Sequence, residues 1–190
     1  MPGLRLKRLI RHELPIYLRR PRPQQRCFLI FAQGRTGTWL LHSLLNRHPQ
    51  IDCAKEILQR RVRLPVRYAV GYARGVDAPR FGCHVQINQL LTVQPISPAA
   101  FLHALHGHGW QIIYLWRRNI VRQSISGLVA TQRQEWVTQQ PNRLTGQRYH
   151  IDGAKLLALL DRRERHVALA RQLLADLPHL ALFYEDDLHN

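Results

Sequence analysis

At 190 residues, with 45% apolar and 21% charged side chains, the chain has room for one domain with a sizeable core and is too apolar for global disorder. Its 28 Lys and Arg against 12 Asp and Glu give a formal charge of +16, which favours a polyanionic partner such as nucleic acid, an acidic membrane surface or a multiply phosphorylated cofactor, or else reflects a surface biased towards arginine. Three widely spaced cysteines (Cys27, Cys53, Cys83) give no disulfide framework, no apolar run reaches the length of a membrane span, and no secretory h-region follows the basic N-terminus; a cytoplasmic protein is expected.

Residues 1–26 read as a basic N-terminal arm. Leu4, Leu6, Leu9, Ile10 and Leu14 can line one side of a short helix, which Pro15, Pro21 and Pro23 interrupt. Such an arm suits packing on the domain, or peripheral contact with acidic lipid or nucleic acid.

Cys27 to Ala32 is apolar throughout, as in a strand buried on both faces of a parallel sheet. Gly34 and Gly37 then bracket Arg35 and Thr36, so the backbone can turn sharply and bring its N–H groups close to a ligand. From Thr38, the residues Trp39, Leu40, Leu41, Leu44 and Leu45 fall at helical spacing. Strand, glycine turn and helix N-terminus together make a site for phosphate or sulfate, with Arg35 adding a full charge. The loop is not a Walker A motif, because Thr38 stands where that motif needs Lys. An ordinary turn with a solvated Arg35 fits this stretch alone equally well.

Pro49 ends the helix, and the segment 48–58 carries Lys55 and Glu56 back to the C-terminal edge of the sheet. Residues 59–81 read as an irregular arginine-rich connection, and 82–91 as a second strand containing His84. Ser97-Pro98 opens a helix running to about Gly107. Near its end, His103, His106 and His108 complement the helix dipole rather than form a metal site.

Trp110 to Trp116 is again a buried-strand pattern, followed at once by Arg117 and Arg118 and by Asn119 as N-cap of a helix. Ser126 lies eight residues past Arg118, about two turns along that helix. An Arg at a strand end and such a Ser can grip one compact anion from two sides. Ligands of open α/β sheets collect at the carboxyl ends of the strands, so both candidate anion sites belong to one crevice; that coincidence decides for an anion-binding loop. Residues 133–150 form a polar loop over the crevice, Ala154 to Leu174 a long helix started near Asp152, and Leu180 to Tyr184 a last strand followed by Glu185, Asp186 and Asp187. The fold class is α/β: over 27–190, a three-layer P-loop-like domain with a mostly parallel central sheet flanked by helices.

With those residues assembled, the chain resembles the sulfotransferases that use 3′-phosphoadenosine 5′-phosphosulfate (PAPS), nearest the bacterial carbohydrate sulfotransferases of the nodulation-factor type. FAQGRTGTWLL resembles the 5′-phosphosulfate loop, LWRRNIVRQSIS the 3′-phosphate motif, and FYEDDL a late strand-end pattern. The resemblance implies that Arg35, Thr36, Gly37, Thr38 and Trp39 bind the 5′-phosphosulfate and that Arg118 and Ser126 bind the 3′-phosphate. It places Glu56 where the family has an acceptor-activating carboxylate. Glu56 is thus the first candidate base and His84 the second; an exposed carboxylate paired with Lys55 or an arginine is the other reading of Glu56. No metal is implied. Trp39 replaces a small hydroxyl residue of the loop, His84 stands where many members carry Lys, and members usually continue for several elements past the YEDDL pattern.

The implied activity is sulfuryl transfer from PAPS, releasing adenosine 3′,5′-bisphosphate (PAP), to a hydroxyl of a carbohydrate or glycolipid. The acceptor pocket would be built by residues 56–81 and 133–150. Nucleic acid is not the expected partner. The alternative is a basic nucleic-acid- or nucleotide-binding module without catalysis on the same fold, and a kinase-like phosphotransferase is disfavoured by the missing P-loop Lys.

Overall fold

The computed structural model describes residues 9–20, 22, 24–136 and 147–188. A helical segment, Leu9–Glu13, runs into α1 (Leu14–Tyr17). The chain then alternates strands and helices: β1 (Arg26–Ala32), α2 (Thr38–Leu45), β2 (Ile51–Glu56), α3 (Pro65–Arg74), β3 (Arg80–Gln86), α4 (Ile87–Thr92), α5 (Pro98–Gly107), β4 (Gln111–Trp116), α6 (Ile120–Arg133), α7 (Gly153–Leu174) and β5 (His179–Phe183). A last helical turn, Tyr184–Leu188, follows β5.

The five strands form one parallel sheet in the order β2-β3-β1-β4-β5. Successive side chains of a strand point to opposite faces. Accordingly Leu29 and Phe31 of β1 join Phe81, Phe101, Leu105 and Ala170 in one core, while Phe28, Ile30 and Ala32 join Leu41 and Leu115 in the other. The continuous apolar run of β1 is the signature of that double burial. As the central strand, β1 pairs with β3 on one side and β4 on the other, with Ala32 opposite both Gln86 and Leu115. The loops leaving β1 and β4 therefore emerge side by side at the point where the chain reverses its direction of travel across the sheet.

Two expectations from the sequence are corrected. The stretch 59–81 is not irregular throughout, because it contains α3, which starts at Pro65 and buries Ala69, Gly71 and Ala73. The stretch 82–91 is not one strand: β3 ends at Gln86, where a reciprocal pair of Gln86 and Gln89 side-chain caps starts α4.

The arm packs on α3. At Gly71 a Cβ would lie 2.2 Å from the Ile16 carbonyl oxygen, so only glycine allows this approach. Buried Glu13 accepts from the Arg63 amide (2.9 Å) and the Tyr17 hydroxyl (2.5 Å). Arg19 and Arg22 donate to the Tyr72 and Arg74 carbonyls at the end of α3 (3.4 and 3.1 Å), where cations suit the helix dipole. Among the described residues, no helix is long and apolar enough to cross a membrane.

Candidate functional site

Between Ala32 and Thr38 the backbone makes two unusual turns. Arg35 has φ 70° and Gly37 has φ 89°, so the loop doubles back before α2 begins. A non-glycine residue in the left-handed region is uncommon and is held only by surrounding contacts. Those contacts are present. Buried Thr36 donates its hydroxyl to the Gln33 carbonyl (2.9 Å). The Gly34 carbonyl accepts from Gln123 (2.8 Å) and from Arg163 (3.0 Å). Among the described residues, no side chain caps the N-terminus of α2, where Gly37 is the N-cap. Thr38 and the half-exposed Trp39 lie in its first turn.

Arg35 does not point into open solvent. Its Nε and Nη2 both donate to the Ser126 hydroxyl, at 3.0 and 2.8 Å, and its Nη1 donates to the Trp136 carbonyl. The residue expected on the 5′-phosphosulfate thus touches a residue expected on the 3′-phosphate. Burial and the nearby Arg117 push the Arg35 guanidinium below its ordinary range.

Arg117 and Arg118, at the end of β4, meet the turn that follows β5. Glu185 accepts from the backbone amides of Arg118 (3.0 Å) and Asn119 (3.2 Å) and from Arg117 Nε (3.3 Å). Burial alone would raise the Glu185 carboxyl, but these donors hold it below the usual range. Arg117 lies over the Tyr184 ring at 4.4 Å, and that ring covers Gly37. Arg118 lies over Phe183 at 3.8 Å and donates through Nε and Nη2 to Asp186 Oδ2, at 3.1 and 2.6 Å. Asn119 caps α6 by accepting from the Arg122 amide, as its position predicts.

Arg163 of α7 is the residue that sequence reasoning missed. It is 7% exposed and reaches behind the loop to Gly34; among the described residues it has no carboxylate partner and its Nε has no hydrogen-bond partner. Burial, together with Arg162, Arg35 and Arg117, pushes it down to about 10. A buried cation without a counter-charge is costly. The loop is therefore surrounded by more positive charge than Glu185 and Asp186 neutralise, an arrangement that can attract an anion.

Glu56 ends β2, opposite His84 of β3. Its two oxygens accept from Gln86 (2.7 Å) and Gln89 (2.5 Å). Its hydrogen-bond partners are amides, not Lys55 or an arginine as the other reading supposed. Gln86 also brings this carboxylate to the loop, since a Cβ on Gly34 would lie 3.2 Å from Gln86 Oε1. His84 sits 3.7 Å from Glu56, 4% exposed, its Nε2 without a hydrogen-bond partner among the described residues; burial, with His42, pushes it down to about 3, so it is neutral at physiological pH. His103, His106 and His108 lie exposed around the end of α5, and among the described residues no group of three or more His, Cys, Asp or Glu is arranged to hold a metal ion. Of the 133–150 loop, residues 137–146 lie outside the described residues.

No protein-family model matches the chain, and no curated protein matches it. Among solved structures it is similar to the mouse sulfotransferase SULT7A1, crystallised in complex with PAP. The two share 15% sequence identity at a TM-score of 0.50, over 92% of this chain and 57% of the mouse chain. The chain thus spans a little over half the length of that sulfotransferase, and at this identity the likeness is one of fold: a parallel five-stranded P-loop-like sheet between helices.

Proposed function

We propose that the chain is a sulfotransferase that takes a sulfuryl group from PAPS and passes it to a hydroxyl of a carbohydrate or glycolipid, with residues 27–190 as the working unit in a cytoplasmic setting. One observation carries this reading. The glycine loop with Arg35, which leaves β1, and Arg117, Arg118 and Ser126, which follow the adjacent parallel strand β4, meet at the carboxyl ends of the strands, where Arg35 already donates to Ser126 and the buried Arg163 adds a further charge. Fold likeness to a sulfotransferase solved with PAP supports the same reading by analogy.

PAPS supplies an activated S–O bond. In-line transfer moves negative charge onto the bridging oxygen of the leaving phosphate. Arg35 and the N–H groups of the Thr36–Trp39 turn are the donors for that charge, and one well-aimed donor is worth about 3 kcal/mol. Arg118 and Ser126 hold the 3′-phosphate once Ser126 is released by Arg35. Glu56 takes the acceptor proton, a role worth about 10²–10⁴-fold, with neutral His84 behind it. Among the described residues, the nucleic-acid alternative has no comparable arrangement in its favour.

The test is calorimetric titration with PAP, ADP and AMP, repeated with Arg118→Ala. Binding that needs both the 3′-phosphate and Arg118 supports the donor site. Equal binding of all three nucleotides refutes it.

A further inference from the structure

We propose, resting on the donor-site reading above, that Asp186 is an internal competitor at the Arg118 arm: its carboxylate occupies the guanidinium that a 3′-phosphate must take over in order to bind. Arg118, the residue assigned to the 3′-phosphate, is not idle. Its guanidinium lies over the Phe183 ring and donates twice to one carboxylate oxygen of Asp186. The carboxylate is delivered there by a fixed turn. Glu185, one residue earlier, is anchored on two backbone amides at the start of α6 and on Arg117. Asp187, one residue later, accepts from the Phe183 amide at 2.7 Å. Tyr184 lies on Gly37.

The anchors and the competitor differ in exposure. Glu185 is engaged with backbone and with the mostly buried Arg117, whereas the Arg118 and Asp186 side chains are each about half exposed (54% and 50%). An exposed pair of this kind is worth little and exchanges readily. The newcomer must nevertheless do better than a carboxylate already in place. A phosphate monoester brings nearly two charges and three acceptor oxygens to the guanidinium fork. A carboxylate or a sulfate ester brings one charge, as Asp186 itself does. A 3′-phosphate can therefore displace Asp186 from Arg118, at the cost of the ion pair it breaks.

The experiment compares the full chain with Asp186→Asn by calorimetry above about pH 7, where the phosphate monoester is dianionic. PAP is titrated alongside AMP, which lacks the 3′-phosphate. Asp161→Asn serves as a control that removes the same charge from an exposed i,i+4 pair on α7. Asp186→Asn should tighten PAP about 1.5- to fivefold, the range of an exposed ion pair, and AMP by a smaller factor. Asp186→Glu should keep the wild-type ratio, and Asp161→Asn should change neither affinity. Unchanged or weaker PAP binding by Asp186→Asn, or equal tightening of PAP and AMP, overturns the proposal. If the wild type prefers PAP to AMP while Asp186→Asn does not increase that preference, this proposal alone fails. If neither protein distinguishes PAP from AMP, the donor-site reading fails and takes this one with it.

Discussion

Gly37 offers a test of the site's architecture that needs no ligand. A Cβ there would lie 2.3 and 2.8 Å from Tyr184 Cδ2 and Cε2, well inside contact distance, on a backbone held at φ 89°. Gly37→Ala therefore has two separate costs. Holding alanine in the left-handed region costs about 1–2 kcal/mol. Displacing the Tyr184 ring weakens its contact with the Arg117 guanidinium, a cation–π interaction of about 0.5–2 kcal/mol. The sum is about 1.5–4 kcal/mol, which for a domain of this size lowers Tm by about 3–15 °C. Urea unfolding of Gly37→Ala, Tyr184→Ala and the double variant separates the two costs. With the ring gone, only the backbone cost should remain, leaving a coupling of about 0.5–2 kcal/mol. If Gly37→Ala costs the same in both backgrounds, the ring does not seal the loop and the contact described above is wrong.

Arg163→Met should change stability by less than about 1.5 kcal/mol, because lost hydrogen bonds are offset by relief from a buried charge beside Arg35 and Arg117. The same variant should weaken PAP binding about tenfold, as expected for removing a charge near the ligand; a large stability loss with unchanged affinity would make Arg163 a strut only. The pH dependence turns on His84. Its folded pKa of about 3 lies below the ordinary value of 6.5, so the native state binds fewer protons than the unfolded chain between those values. This contribution to stability is full above pH 6.5 and is lost as pH falls towards 3, by about 3 kcal/mol between pH 7 and 4. His84→Gln should flatten the acid limb of stability by about that amount in urea midpoints, and parallel pH curves for the two proteins would contradict the assignment.

What could be read from the sequence was what local chemistry fixes. The strands 27–32 and 110–116 were legible because burial on both faces makes them continuously apolar, and Ser97, Asn119 and Asp152 were legible as caps. Helix α3 was hidden because its buried residues are Pro65, Ala69, Gly71 and Ala73, flanked by Arg67 and Arg74, rather than leucines at helical spacing. Helix α4 was hidden because its capping box uses Gln86 and Gln89, so Ile87 and Leu90 read as more strand. The loop and the Arg118–Ser126 motif were both visible as stretches, whereas their partners were not. Arg163 lies in a run of charged residues on a long helix, and only the packing of α7 on α6 turns it under the loop. Asp186 meets Arg118 because β5 lies beside β4, a neighbourhood set by topology rather than by local sequence.

The amides around Glu56 make the usual test of a base more informative than usual. Gln89 Oε1 accepts from the Gln86 backbone N–H at 3.0 Å, so its NH2 group must face Glu56. Glu56→Gln then sets an amide against two donors and has only one oxygen to offer them. Leaving one buried donor unmatched costs about 1–3 kcal/mol, in addition to removing the base. Glu56→Gln with Gln86→Glu restores a carboxylate to the cluster one strand away and should recover at least half of that stability. Sulfate transfer from radiolabelled PAPS to a carbohydrate acceptor should fall about 10²–10⁴-fold in Glu56→Gln and should stay low in the double variant, because the carboxylate has moved from the end of β2 to the end of β3. Recovery of stability without activity would place the base at residue 56 itself. Recovery of both would show that any carboxylate in this amide cluster suffices, and the role given to Glu56 would have to be abandoned.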